Sequence, residues 1–138
     1  MNYKSKFEAT VADYFGKQVK YEPDRISFTQ PPQDRTYCPD FKIAENVYIE
    51  TKGRLTVEDR KKHKWFKEQH PDITVIFLFL NSMNTLTKKS RTTYGEWASD
   101  NNIPYYCWRT NPPPSNTKEI IKHVCKENNR TTRRKRKL

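Results

Sequence analysis

The chain has 138 residues, of which 33% are hydrophobic and 13% aromatic, and its formal charge is +11. This length predicts one compact domain with a small core, and no run approaches the roughly 20 apolar residues of a membrane span. Because residues 1–8 lack the apolar stretch of a signal peptide, we expect a soluble protein of the cytoplasm.

The N-terminal part of the chain predicts one helix and an extended segment. Residues 5–15 place apolar side chains at helical spacing and are followed by Gly16, which is typical of an amphipathic helix. Residues 19–29 predict an extended segment. Beyond them, Pro31 and Pro32 disfavour helix and predict an extended, semi-rigid connection, so this stretch is the candidate hinge. An ordinary loop is the alternative.

A β-hairpin is predicted in the middle of the chain. Residues 40–43 and 47–52 alternate in polarity around a short polar turn, as the two strands of a hairpin do. Side chains of a strand point alternately to its two faces, so Tyr48, Glu50 and Lys52 share one face of the second strand.

The second half of the chain predicts alternating helices and strands. The predicted elements are a charged helix over 57–70 capped by Thr56, a strand over 73–80, a helix around 94–98, a strand over 103–108 and a helix over 117–126. The strand over 73–80 is nearly all apolar over its eight residues, which indicates burial on both of its faces. The order α, hairpin, α, β, α, β, α predicts a mixed α/β domain.

The cysteines do not indicate a structural crosslink. Cys38, Cys107 and Cys125 are odd in number and widely spaced, which fits neither a disulfide framework nor a zinc module. His123 and Cys125 lack the further ligands that zinc needs. We therefore expect free thiols.

The positive charge is concentrated at the C-terminus. Residues 130–138 carry six basic residues and no acid, and we assign 129–138 as a basic tail behind a domain over 1–128. Cations that neutralise phosphates release condensed counterions, so the tail favours non-specific contact with DNA. The alternatives are a solvated tail or a nuclear-import-like patch.

Asp40, Glu50 and Lys52 are the strongest candidates for chemistry. Phosphodiester hydrolysis requires charge neutralisation and an activated water, and Mg²⁺ or Mn²⁺ held by carboxylates supplies both. The hairpin places Asp40 beside Glu50, and Lys52 follows on the same face at a Cα separation of roughly 6.5 Å, where its ammonium could orient the water. A solvated pair of charges is the alternative for Glu50 and Lys52.

Five short motifs resemble those of the phage endonuclease I family. They occur in the family's order and with near-identical spacing between about Glu8 and Trp97. They are TYCPDF at 36–41, ETKG at 50–53, DRKKH at 59–63, EQHP at 68–71 and YGE at 94–96. We find no resemblance beyond Trp108.

The resemblance implies a fold, an activity and an assembly. The fold is α/β and restriction-endonuclease-like, of the PD-(D/E)xK type, with a mixed central β-sheet flanked by helices. The activity is metal-dependent cleavage of four-way (Holliday) junctions and other branched DNA. The assembly is a domain-swapped homodimer, in which residues 1–30 are exchanged, 31–35 form the bridge and 36–128 form the catalytic core.

The resemblance also adds Glu8 to the site. By position, Glu8 matches a helical glutamate that the family contributes across the swap. The candidate catalytic residues become Glu8, Asp40, Glu50 and Lys52, and the candidate ligands for one or two Mg²⁺ or Mn²⁺ ions are Glu8, Asp40, Glu50 and the Thr51 backbone carbonyl. The residues alone favour another role, since Ser5 and Glu8 also fit a capping box in which Glu8 bonds back to the Ser5 amide.

The charged helix supplies candidate DNA contacts. Arg60, Lys61, Lys62, His63 and Lys64 follow the hairpin closely and could grip phosphates, although a solvated helix face fits as well. Two other functions remain open from the residues. One is a nuclease of the same fold that acts on ordinary duplexes, and the other is a non-catalytic DNA-binding module.

Overall fold

A five-stranded mixed sheet forms the centre of the protein in the computed structural model, which describes residues 3–31 and 33–124. The strand order is β1-β4-β5-β6-β7, in which β1, β4 and β5 pair antiparallel and β5, β6 and β7 pair parallel. These strands are β1 Lys20–Tyr21, β4 Phe41–Ala44, β5 Val47–Lys52, β6 Thr74–Phe79 and β7 Tyr105–Cys107. Strands β2 Ile26–Gln30 and β3 Gln33–Tyr37 form a separate antiparallel hairpin.

Helices cover both faces of the sheet, because alternate residues of β6 point to opposite sides. Ile76 and Leu78 pack on one side with helix α1 (Lys6–Phe15) and with the helical residues 117–124. Phe77 and Phe79 pack on the other side, where helix α3 (Tyr94–Asp100) supplies Tyr94, Trp97 and Ala98. The prediction of a strand buried on both faces is confirmed.

Helix α2 (Val57–Gln69) packs against the separate hairpin of β2 and β3. Thr56 caps it through a capping box with Asp59, as its sequence predicts. Phe66 lies on its inner side against Phe28 and Tyr37 of the hairpin, and the three form a third small core. This core fixes the hairpin against the edge of the domain that carries the candidate site.

The sequence predicts most of these elements, with differences at the edges. The last strand is shorter than expected, and β7 spans only Tyr105–Cys107. The extended segment before the prolines contains two strands, β1 and β2. Gln30 pairs with Gln33, so the chain reverses its direction between these two residues instead of running straight on. Residues 33–35, predicted as part of a bridge, lie in β3, and an exchange between two chains stays a prediction.

The predictions for the cysteines and for the C-terminal region are covered only in part by the described residues. Cys38 and Cys107 are free thiols. Cys125, the end of the last predicted helix and the basic tail over 129–138 lie outside the described residues. Within the described ranges, no helix combines the length and the apolar character that crossing a bilayer requires.

Candidate active site

The hairpin of β4 and β5 brings Asp40 and Glu50 together, as the sequence predicts. Phe41 pairs with Ile49, so Asp40 lies beside Glu50, and the Asp40 amide donates a hydrogen bond to Glu50 Oε1 at 3.2 Å. Thr51 donates to Asp40 Oδ2 from its amide at 2.9 Å and from its hydroxyl at 2.8 Å. These bonds hold the Asp40 carboxylate in one orientation.

Asp40 carries a strongly perturbed carboxyl group. Its side chain is buried, at 8% exposure, and lies close to the charge of Glu50. Burial first, and the negative charge of Glu50 second, raise the pKa of Asp40 to about 7, against the opposing hydrogen bonds from Thr51. A buried carboxylate in this position gains much from a nearby cation.

Lys52 links two carboxylates across the site. Its Nζ lies 3.3 Å from Glu50 Oε2 and 3.2 Å from Asp59 Oδ1, and we name these three residues the ion-pair chain. Burial alone lowers the pKa of Lys52, but the charges of Glu50 and Asp59 outweigh it and raise that pKa above its usual value. Lys52 is therefore protonated at neutral pH and is held in a fixed position.

Glu8 reaches the site from helix α1 of the same chain. The Ser5 hydroxyl caps the helix by accepting from the Glu8 amide at 3.1 Å. The Glu8 carboxylate accepts from the Tyr21 hydroxyl at 2.5 Å, and a longer contact of 3.4 Å joins it to the Ser5 hydroxyl. Among the described residues, no hydrogen bond joins the Ser5 amide to this carboxylate, so the capping box is only half formed.

Glu22 is a site residue that the sequence did not reveal. Glu8, Glu22 and Asp40 each offer one carboxylate oxygen within 4.8 Å of the others, and we name them the acidic group. The Glu22 amide donates to the Asp40 carbonyl at 2.8 Å, next to the pairing of β1 with β4. No motif surrounds Glu22, and only this pairing brings it to Asp40.

The acidic group fits a divalent cation. Three carboxylate oxygens within a few ångströms of one another are the hard donors that Mg²⁺ and Mn²⁺ prefer. Lys4 forms an ion pair with Glu22 at 2.9 Å, but its side chain is 71% exposed and offsets little of this charge. Of the predicted ligands, Glu8 and Asp40 belong to the group, whereas Glu50 contacts the Asp40 amide and Lys52.

The predicted DNA contacts on helix α2 lie in different environments. Arg60 Nη1 donates to the Leu55 carbonyl at 3.2 Å, while Lys61 and Lys64 are exposed. His63 is only 2% exposed, and burial lowers its pKa well below the usual value. A buried neutral imidazole cannot grip phosphates, so the predicted DNA contact by His63 is wrong, because this residue lies on the inner face of the helix.

Comparison with known proteins supplies the family. The sequence model described as phage endonuclease I matches residues 1–136. This chain belongs to the phage endonuclease I family. The match extends well past Trp108, so our finding of no resemblance beyond that residue is wrong.

Two relatives place the chain within the phage endonuclease I family. Endodeoxyribonuclease 1 of Enterobacteria phage T3 is 38% identical over 104 residues, which cover 70% of this chain and 68% of that protein. Endonuclease I of Escherichia phage T7 is 36% identical over 90 residues, which cover 65% of this chain and 60% of that protein. Membership of the family and the names of both relatives support a nuclease.

Proposed function

We propose that this protein is a metal-dependent endonuclease that hydrolyses phosphodiester bonds in four-way junctions and other branched DNA. The observation that carries the proposal is the acidic group, of which Glu8 and Asp40 are buried, directly beside the ion-pair chain. This arrangement offers a cation site and a fixed ammonium at one edge of the sheet. Phosphodiester hydrolysis needs both, since negative charge develops on the phosphoryl oxygens.

In this proposal the acidic group holds the metal. Glu8, Glu22 and Asp40 supply carboxylate oxygens, and Glu50 and the Thr51 carbonyl are further candidate ligands for one or two ions. A bound Mg²⁺ or Mn²⁺ polarises a phosphoryl oxygen and lowers the pKa of a bound water. Thr51 keeps the Asp40 carboxylate oriented through its two hydrogen bonds.

Lys52 supplies a fixed positive charge in this proposal. Its ammonium is held between Glu50 and Asp59, so it cannot swing away when the substrate leaves. From that position Lys52 orients the attacking water or offsets charge on the phosphate. A preorganised charge of this kind costs no reorganisation during the reaction.

We propose that the functional unit is a homodimer with exchanged N-terminal segments. The hairpin of β2 and β3 pairs Gln30 with Gln33, and so short a connection between two strands favours domain swapping. If the turn opens, α1 carries Glu8 to the site of the partner. The exchange would change which chain supplies Glu8 and would leave the composition of the site unchanged.

The proposal is tested by the shape of the substrate. A synthetic four-way junction and a linear duplex of the same sequence are incubated with the protein, with Mg²⁺ or Mn²⁺ and then with a chelator. We expect cleavage of the junction, little cleavage of the duplex and none with chelator. Equal rates on both substrates would favour a duplex nuclease, and tight binding without cleavage would favour a non-catalytic DNA-binding module.

A further inference from the structure

Lys62 of helix α2 is partly buried, whereas Lys61 and Lys64 are exposed. Asp59, Lys62, His63 and Phe66 are spaced by three or four residues and so share one face of the helix. His63 and Phe66 on this face are buried, and Asp59 contacts Lys52 in the ion-pair chain. Lys62, one turn from Asp59, therefore lies at the same edge of the site.

Lys62 is directed at the site by an aromatic ring. Its Nζ lies 4.7 Å from the ring centroid of Tyr37, a residue that is itself buried. The Tyr37 ring packs edge-on against His63 and Phe66 of helix α2, with centroid distances of 5.1 and 4.9 Å. The ammonium of Lys62 thus rests on a buried ring that lies against the same face of α2 as Asp59 of the ion-pair chain.

Electrostatic contacts agree with this placement. Burial lowers the pKa of Lys62, and the positive charge of Lys52 lowers it further, while Glu50, Asp59 and Asp40 act in the opposite direction. Charges influence one another in this way only over short distances, since solvent and salt screen the rest. These directions agree with the position of Lys62 one turn from Asp59 of the ion-pair chain.

The two lysines of the site differ in their partners. Lys52 is held by two carboxylates. Within the described ranges, Lys62 forms no ion pair and has the face of Tyr37 as its partner. A cation held by a ring alone can turn to an incoming phosphate without breaking a salt bridge, whereas Lys52 cannot.

We propose that Lys62 is a further catalytic residue, which contacts the scissile phosphate and supplies the mobile positive charge of the site. In this division of labour, Lys52 acts from its fixed position beside Glu50, and Lys62 moves to the substrate. The inference rests on the proposed nuclease function. It separates Lys62 from Lys61 and Lys64, which are exposed and would add only general attraction to DNA.

The test compares Lys62→Met with Lys17→Met, which removes the same charge from an exposed lysine just after helix α1. Single-turnover cleavage of a four-way junction is measured at saturating protein with Mn²⁺, and the Kd is measured with chelator. We expect Lys62→Met to lower the cleavage rate about 100-fold. We expect its Kd to change less than about threefold, and Lys17→Met to keep both the wild-type rate and the wild-type Kd.

Three further outcomes decide the inference. Lys62→Arg keeps the charge, and recovery of at least about a tenth of the wild-type rate would support the proposal. A wild-type rate in Lys62→Met, equal losses in Lys17→Met, or a Lys62→Arg variant as inactive as Lys62→Met would overturn it. Failure of the wild-type protein to cut would instead overturn the proposed function, and the role of Lys62 with it.

Discussion

The acidic group and the ion-pair chain lie side by side, yet they differ in how far a cation of the chain offsets their negative charge. In the ion-pair chain, one buried lysine contacts two carboxylates at 3.3 and 3.2 Å. In the acidic group, three carboxylates converge, and within the described residues the cation that pairs with them is the exposed Lys4. The comparison indicates that Lys52 offsets much of the negative charge in the ion-pair chain, whereas the acidic group has an excess of negative charge that a divalent cation would offset.

The two regions also draw on different parts of the chain. The ion-pair chain lies entirely within residues 50–59, on β5 and the start of α2. The acidic group takes Glu8 and Glu22 from the N-terminal segment and Asp40 from the start of the hairpin. An exchange of N-terminal segments would therefore replace two of its three carboxylates and leave the ion-pair chain untouched.

Removing Lys52 from the ion-pair chain should have the largest effect on cleavage and stability. In Lys52→Ala, Glu50 remains buried at 6% exposure without its cation. We expect cleavage to fall at least about 1000-fold and the free energy of unfolding to fall by about 3 kcal/mol, while junction binding persists. Single-turnover cleavage, junction Kd and urea unfolding measure the three quantities.

The double variant Lys52→Ala/Glu50→Gln is the control for this loss. It removes the unpaired buried charge, so most of the lost stability should return. Cleavage should stay absent in the double variant and in Glu50→Gln alone. Normal turnover in any of these variants would refute the assignment of the site.

Removing charge from the acidic group should stabilise the metal-free protein. The pKa of Asp40 is about 7 in the folded chain, well above its ordinary value of 3.8. The stability that Asp40 contributes is therefore fully present below pH 3.8 and is lost as the pH rises through 7. At pH 8, Asp40→Asn should raise the free energy of unfolding by up to about 4 kcal/mol in chelator.

The stabilising effect of Asp40→Asn should shrink or change sign when metal is present. With saturating Mn²⁺ the wild-type protein gains binding energy that Asp40→Asn cannot gain, so the difference in melting temperature should shrink or change sign. Thermal unfolding at pH 5.5 and pH 8, with and without Mn²⁺, measures this. An Asp40→Asn variant that is less stable than wild type at pH 8 in chelator would contradict the account.

Glu22 should have an intermediate effect. Its carboxylate joins the acidic group but is also paired with Lys4, so we expect Glu22→Gln to weaken the affinity for Mn²⁺ by about tenfold. Cleavage should return at high metal concentration. Glu45→Gln is the matched control, because Glu45 is an exposed acid that pairs with Lys42 on the same sheet. Equal metal affinities in the two variants would remove Glu22 from the site.

The exchange of segments should produce the smallest change in chemistry. We expect the protein to have the mass of a dimer in solution at micromolar concentration, measured by light scattering. Inserting three glycines between Pro31 and Pro32 lengthens the connection and should shift the population toward monomers. A wild-type monomer at this concentration would count against the exchange.

The sequence predicted the parts of the site that depend on local structure. A hairpin with a short turn brings Asp40 beside Glu50 whatever the rest of the fold does, and β alternation places Lys52 next to them. Glu22 could not be predicted, because β1 is only two residues long and its pairing with β4 joins residues about twenty apart. Such non-local pairing leaves no periodic signal in the sequence.

His63 shows a different kind of error. We took five consecutive polar residues as one surface, although a helix distributes neighbours around its axis. The apolar Phe66, three residues after His63, marks the inner face, and the rings of Tyr37 and Phe77 lie 5.1 and 4.6 Å from the imidazole. Helical spacing could therefore have separated His63 from Lys61 and Lys64.

A calorimetric titration of Mn²⁺ into the wild-type protein and into Asp40→Asn at pH 8 tests the central claim most directly. The account predicts at least one ion per chain in the wild-type protein and no binding of comparable affinity in the variant. Equal binding by both proteins would place the metal elsewhere. No binding by the wild-type protein would contradict the claim that the acidic group binds a divalent cation.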